Sequence, residues 1–231
     1  MDTLTAAWSL VSGGDPVLLG IVTLSLQVSL TAVAIATIFG APLGAALAIW
    51  RFPGRRVLIL IASSLMALPP VVAGLFVYLS LSRAGPLGSF GLLFTPSAMI
   101  IAQTLLIFPI IVALTQSAVA PLWRDYREML AAMGASRRLA LITCLWDARF
   151  AVITAILAGF GRAIAEVGAV LIVGGNIAGV TRVMTTTIAL ETSKGNLELA
   201  LALGLILLAI ALVVNAIMQA LGLLGRRFET P

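Results

Sequence analysis

The sequence predicts an all-α integral membrane protein, and its composition, its uncharged runs and its placement of basic residues support that class. Of 231 residues, 61% are hydrophobic and only 10% are charged, whereas about a quarter of a soluble domain is charged. Four uncharged runs, at 16–50, 57–82, 84–123 and 199–225, each exceed the roughly 20 apolar residues that cross a bilayer. Basic residues stand beside the ends of these runs, so the net charge of +5 indicates topology and not a nucleic-acid surface.

Five membrane spans account for the apolar sequence. We expect them at about 17–39, 57–80, 97–119, 150–173 and 197–221. Glycines and a proline allow a bend between the first span and Trp50, and Pro69-Pro70 predicts a kink in the second because two backbone donors are missing. The turn-forming segment 83–96 is the expected outer loop. The fourth span is the least regular, since charges and glycines interrupt it.

The arginines orient these spans. No Lys or Arg precedes the first span, whereas Arg51, Arg55 and Arg56 follow it. Basic residues favour the cytoplasmic side of a membrane, so we expect the N-terminus outside. Five spans then place the C-terminus inside, with Arg226 and Arg227.

A polar interval, Arg124 to Arg149, lies between the third and fourth spans. It holds five arginines, and its small-residue turn predicts a short helix, a break and a new helix. Gly134 suits the C-terminal break of a helix, and Ser136 suits an N-cap. From its residues alone, the interval is either a basic loop that only fixes orientation or a docking segment for another protein.

Residues for independent chemistry are scarce. The chain has no histidine and one cysteine, so the commonest metal ligands and catalytic bases are missing, and we expect neither a metal site nor enzymatic activity. Lys194 is the only lysine, and it lies in no GxxxxGK[ST] pattern. Any ATP hydrolysis therefore has to occur on another chain.

Arg162 and Glu166 interrupt the fourth span. They are four residues apart, on one face of the predicted helix, and can pair. A charge in hydrocarbon costs at least about 2.5 kcal/mol, so both side chains should face protein or a wet cavity. They are either a neutralised pair that holds the span against a neighbour or part of a translocation path.

Further hydrogen-bond donors follow the fourth span. They are Thr181, Arg182, Thr185, Thr186 and Thr187. With nearby backbone amides, these side chains could supply donors to an anion. The alternative is an ordinary amphipathic surface hairpin.

Three stretches carry a resemblance to a known family. YREMLAAMGASRR, with Glu128 and Gly134 at the family's Glu-to-Gly spacing, resembles the cytoplasmic EAA loop of ATP-binding-cassette (ABC) importer permeases. LPPVVAG at 68–74 and GRAIAEVGAVLIVGGNIAGVTRVMTTTIALETSKG at 161–195 resemble molybdate and tungstate permeases. The last stretch looks closest to the tungstate type.

The resemblance implies a type I importer permease that works as a homodimer in the inner membrane of a bacterium or archaeon. It implies separate ABC ATPase subunits that hold ATP and Mg, and an extracytoplasmic oxyanion-binding protein. It also implies alternating access and a coupling helix over 128–136. The residues expected at the ATPase contact are Glu128, Ala131, Ala132, Gly134, Ala135, Ser136 and Arg137. An ion-coupled secondary transporter and a membrane anchor that transports nothing are the alternatives from other classes.

Overall fold

The computed structural model describes residues 3–228, with side chains at position 5 and over 7–223. Every regular element in that part of the chain is helical. The α-helices are α1 (Thr3–Ser12), α2 (Pro16–Ile49), α3 (Arg55–Leu65), α4 (Pro70–Leu81), α5 (Pro96–Ala132), α6 (Arg137–Asp147), α7 (Arg149–Ile164), α8 (Gly168–Gly174), α9 (Met184–Lys194) and α10 (Leu197–Phe228). A short 3-10 turn, Gly88–Phe90, lies between α4 and α5. Arg226 and Arg227, predicted to lie inside, fall outside the described side chains.

The apolar helices are long enough for a membrane protein. Three of them, α2, α5 and α10, could each cross a bilayer alone. Two bent pairs reach the same length only if each pair is one span: α3 with α4, bent by 105°, and α6 with α7, bent by 71°. The described chain therefore has three to five candidate spans, which agrees with the predicted all-α membrane class.

The bend predicted at Pro69-Pro70 is confirmed. Helix α3 ends at Leu65, and α4 begins at Pro70, the first helical position, where a missing amide costs little. Pro69 is extended, with φ −61° and ψ 126°, as expected of a residue that precedes a proline. Local proline chemistry therefore explains the angle between the two helices.

Helix α2 continues past the predicted end of the first span at 39, through Pro42, to Ile49. The glycines expected to allow a bend lie instead at a close contact with α5. An added Cβ at Gly44 would stand 2.5 Å from the Val112 carbonyl oxygen, and one at Gly40 would stand 3.1 Å from Ile111. Small residues let membrane helices approach closely, so these two glycines serve packing.

The fourth span predicted at 150–173 is not a single helix. Helix α7 ends at Ile164, and α8 begins at Gly168. Glu166 lies in the break, where its Oε1 accepts a hydrogen bond from the Ala169 amide at 3.0 Å. This bond satisfies one of the amides that the start of a helix leaves without a partner, so the side chain stabilises a new helix start.

Contacts divide the described chain into two units. Unit 1 contains the described residues up to Ala32, with Pro69–Thr104 and Gly161–Val214. Unit 2 contains Val33–Leu68, Leu105–Phe160 and the described residues from Asn215. A buried cluster in unit 2 comprises Ala45, Ala48, Ile49, Val119, Cys144 and Ala148. It packs α6 against the end of α2 and the middle of α5.

Candidate functional site

The polar interval folds as the end of α5, a short break and helix α6. Gly134 has φ +66°, and the Gly134 and Ala135 amides donate to the carbonyls of Ala131 (3.1 Å) and Leu130 (2.9 Å). This is the Schellman arrangement that closes a helix. Ser136 is the N-cap of α6, so both local predictions are confirmed. The short helix expected before the break is the end of α5, which continues to Ala132, so residues 128–136 comprise the last helical residues of α5, the Gly134 turn and the N-cap of α6.

The coupling turn, residues 128–137, lies at the surface between buried anchors. The predicted contact residues Glu128, Ala131, Ala132, Gly134, Ser136 and Arg137 are exposed, and Ala135 is half-buried. In contrast, Leu130 is 7% exposed and Ala140 is 2% exposed. One buried side chain on α5 and one on α6 therefore hold the turn, while its remaining residues stay accessible.

Large apolar side chains surround the coupling turn. Met129, Met133, Leu139, Ile142 and Trp146 are each more than half exposed. Leu139, Ile142 and Trp146 follow helical spacing, so they share one face of α6. A contiguous exposed apolar patch is typical of a contact with protein or lipid.

The two stretches that resemble oxyanion permeases meet in unit 1. An added Cβ at Gly74 in α4 would lie 2.7 Å from Ala169 Cα in α8. At Gly168 it would lie 3.0 Å from Val71 Cγ2. A glycine lets two membrane helices approach this closely, because it has no side chain to hold them apart. The glycines in these stretches therefore fix α8 against α4.

The predicted pair between Arg162 and Glu166 forms, through Nη1 and Oε2. The two residues do not share one helical face, because α7 ends between them. The carbonyl of Glu166 also accepts from Thr185 Oγ1 at 2.8 Å. Glu166 is 3% exposed, whereas the Arg162 side chain is 33% exposed. Glu166 thus links α7, α8 and α9, and Arg162 is the accessible member of the pair.

The predicted threonine donors are buried. The surface-hairpin alternative is wrong, since 184–194 forms helix α9. The Thr181 hydroxyl donates to the Gly174 carbonyl, and the Thr185 hydroxyl donates to the Glu166 carbonyl. The Thr186 hydroxyl donates to Asn176 Oδ1, and the Thr187 hydroxyl donates to the Val183 carbonyl. These donors would have to rearrange before they could bind an anion. Their role in a translocation path stays a prediction.

Arg182 lines a cavity of about 560 Å³ in unit 1. The start of α2 and the turn at 178–180 form its other walls, which are mainly apolar. At Gly20 and Gly179 no neighbouring atom lies within 4 Å of an added Cβ. Arg182 Nε is buried and has no hydrogen-bond partner among the described residues. A guanidinium donor without a partner favours an anion.

Glu191 is held as a carboxylate by two neighbouring side chains. Its carboxylate accepts from Lys194 Nζ at 2.9 Å and Asn196 Nδ2 at 3.0 Å. The pKa of Glu191 is held below its usual value, mainly by the hydrogen bond from Lys194 and next by the hydrogen bond from Asn196. The positive charges of Lys194 and Arg182 contribute less. The carboxylate therefore stays ionised beside Lys194, and these two charges compensate each other.

Two polar side chains within apolar helices were missed by sequence reasoning. Ser25 Oγ accepts from the Met184 amide at 2.8 Å. Gln103 Nε2 donates to the Ala163 carbonyl at 3.1 Å, and Gln103 Oε1 has no partner among the described side chains. An isolated polar residue in an uncharged run was a usable signal, because such residues often join membrane helices.

Long apolar helices, two bent pairs and an anchored surface turn define an all-helical membrane component with a segment suited to contact another protein. The chain belongs to the family of binding-protein-dependent transport system inner membrane components, whose sequence profile matches residues 40–223. The predicted membership among ABC importer permeases is thereby confirmed. The chain is a transport component, and neither alternative class is favoured.

Individual relatives of this chain are described as anion or tungstate permeases. The chain is 48% identical over 218 residues to a probable anion ABC transporter permease protein of Haloferax volcanii, covering 92% of this chain and 90% of the relative. It is 43% identical over 216 residues to the tungstate uptake system permease protein TupB of Peptoclostridium acidaminophilum, covering 94% and 95%. The protein of the same description in Campylobacter jejuni is 38% identical over 172 residues, covering 74% and 72%.

Proposed function

We propose that this chain is the permease subunit of an ATP-driven oxyanion importer, with tungstate as the first candidate cargo and molybdate as the second. Two relatives are named as tungstate uptake permeases and another as an anion permease. The anion permease and one tungstate permease match more than nine-tenths of this chain. This agreement along the chain supports the cargo class.

The anchored coupling turn is the observation that carries the mechanism. ATP and Mg bind to separate ATPase subunits, which contact residues 128–137 from the cytoplasm. Cys144 and Ala148 bury α6 against the end of α2 and the middle of α5, so movement of the turn displaces those helices as well. Closure of the ATPase dimer would thereby switch the permease between its two access states.

The proposed assembly has two copies of this chain, each with five spans, the N-terminus outside and the C-terminus inside. An extracytoplasmic binding protein delivers the oxyanion to the outer face. With that orientation the Arg182 cavity, beside the start of α2, lies on the side of entry. A single arginine attracts a divalent anion without holding it tightly, and weak binding permits release.

The translocation path remains part of this proposal. Arg162 is its other accessible cation, while Glu166, Thr181, Thr185 and Thr186 support the surrounding helices in this state. A rearrangement of α8 and α9 would free their donors. Variants that separate folding from transport are therefore required.

Uptake into proteoliposomes tests the proposal. Complexes are reconstituted with the ATPase and the binding protein, and labelled tungstate uptake is measured with and without ATP, with molybdate and sulfate as competitors. The proposal is supported if tungstate uptake depends on ATP and if molybdate inhibits this uptake more strongly than sulfate does. Uptake without the ATPase that a protonophore abolishes would establish ion coupling, and absence of uptake with intact ATPase binding would favour an anchor.

A further inference from the structure

Four arginines line a cavity of about 210 Å³ in unit 2: Arg51, Arg55, Arg124 and Arg127. Arg51 lies in the connection after α2, Arg55 begins α3, and Arg124 and Arg127 share one face of α5. The volume equals that of about seven liquid waters at about 30 Å³ each. The cavity therefore has room for a phosphate-sized group.

Arg55 is fixed at the wall of this cavity. Its side chain donates to the Leu47 carbonyl and, at 3.2 Å, to the Ala48 carbonyl. Both carbonyls belong to the last turn of α2, where helical partners are missing, and the negative end of the helix favours a cation. One guanidinium is thus held in position before any ligand binds.

The remaining charge in the basic cavity is poorly neutralised. Arg127 pairs with Glu128 at 3.3 Å. Among the described side chains, no carboxylate lies within ion-pair distance of Arg51, Arg55 or Arg124. Like charges around one small cavity repel each other, and guanidinium groups bind phosphate oxygens in a two-pronged geometry. An anionic ligand would relieve the repulsion.

The surroundings of the basic cavity resemble a membrane interface. Trp123 lines it, and tryptophan side chains concentrate at the depth of lipid headgroups. Helix α3, which begins at Arg55, has no buried residue. Its exposed Leu58, Ile61 and Leu65 follow helical spacing and form an apolar stripe that acyl chains could contact.

We propose that the basic cavity binds the phosphate of an anionic phospholipid headgroup, whose acyl chains lie along α3. Basic pockets between membrane helices are suited to such headgroups. The cavity adjoins the coupling turn through the Arg127–Glu128 pair and shares no residue with the Arg182 cavity. It gives unit 2 a specific contact with lipid that is independent of the transported anion.

A lipid titration tests this site in the purified full chain. Phosphatidylglycerol and phosphatidylcholine with the same acyl chains are added separately, and bound lipid is counted by native mass spectrometry. The cavity variant is Arg51→Gln/Arg124→Gln, because neither side chain caps a helix. The control is Arg56→Gln/Arg138→Gln, which removes the same charge from two arginines that are exposed like Arg51 and Arg124 but do not line the cavity.

We expect phosphatidylglycerol to bind the native chain more tightly than phosphatidylcholine. The cavity variant should lose about 30-fold in affinity for phosphatidylglycerol, which corresponds to about 1 kcal/mol per arginine, while the control keeps most of it. Equal losses in both variants would overturn the proposal, because they would show only general surface attraction. Binding of inorganic phosphate and of tungstate is measured in the same proteins. If only the cavity variant loses this binding while its lipid binding is unchanged, the cavity holds a free oxyanion, and the lipid proposal is overturned.

Discussion

The amide of Leu139 donates a hydrogen bond to Ser136 Oγ at 3.2 Å, directly after the turn that ends α5. This bond starts α6 at a defined residue. Ser136→Ala should therefore destabilise the first turn of α6 by about 1 kcal/mol, and Ser136→Asp should retain the cap. Hydrogen exchange of the amides at 137–139 measures the effect, and equal protection in all three proteins would contradict it.

Replacement of Gly134 should weaken ATPase binding through the backbone. An L side chain at φ +66° costs about 1–2 kcal/mol, so Gly134→Val should reduce ATPase co-purification about tenfold. Asparagine tolerates this conformation, so Gly134→Asn should retain most of the co-purified ATPase. Gly91→Val is the matched control, because Gly91 also has positive φ and open space around its Cα but lies in the expected outer loop. Equal loss in Gly91→Val would show a general folding defect.

Close packing at Gly74 should be essential for the fold of unit 1. Gly74→Val would force α4 away from Ala169, with an expected cost of at least about 1–3 kcal/mol. Gly161→Ala is the control, since an added Cβ there meets no atom within 4 Å, and alanine suits a helix better than glycine. Thermal unfolding in detergent should show a lower Tm for the first variant only. An unchanged Tm for Gly74→Val would contradict the packing.

Two variants separate the two roles of the Arg162–Glu166 pair. Glu166→Gln leaves Arg162 without its countercharge and should cost about 1–3 kcal/mol. Arg162→Gln/Glu166→Gln should recover part of that stability, because neither charge is left unpaired. If Arg162 lies on the path, the double variant will fold but transport little tungstate. Normal uptake by the folded double variant would make the pair purely structural.

The depressed pKa of Glu191 predicts a pH-dependent stability. The ionised, hydrogen-bonded carboxylate stabilises the folded chain above its unfolded pKa of about 4.3, and this contribution disappears as the pH falls through the lower folded pKa. The difference in Tm between the native chain and Glu191→Gln should therefore be largest at neutral pH and shrink in acid. A constant difference between pH 7 and pH 3 would show that the carboxylate charge does not contribute.

Features set by local chemistry were predictable from the sequence. Pro69-Pro70 bends a helix, Gly134 supplies positive φ, and Ser136 caps α6, because each effect depends on a residue and its immediate neighbours. The apolar runs likewise predicted the membrane class through their length alone.

Features set by distant contacts were not predictable in the same way. Gln103 donates to the Ala163 carbonyl 60 residues later, and Thr185 donates to the Glu166 carbonyl 19 residues earlier. Gly44 was predicted to allow a bend, and its actual role in packing depends on α5, which is distant in sequence. The sequence identifies the polar residues but does not determine whether their hydrogen-bond donors face a translocation path or bond to groups within the protein.

Crosslinking from the coupling turn tests the central claim most directly. In a Cys144→Ala background, Ala132→Cys is labelled with a thiol-reactive photocrosslinker in the intact complex, and Ser89→Cys in the expected outer loop is the control. We predict that irradiation crosslinks the ATPase subunit to position 132 and not to position 89. A complex that retains its ATPase but shows no adduct at position 132 would contradict the account.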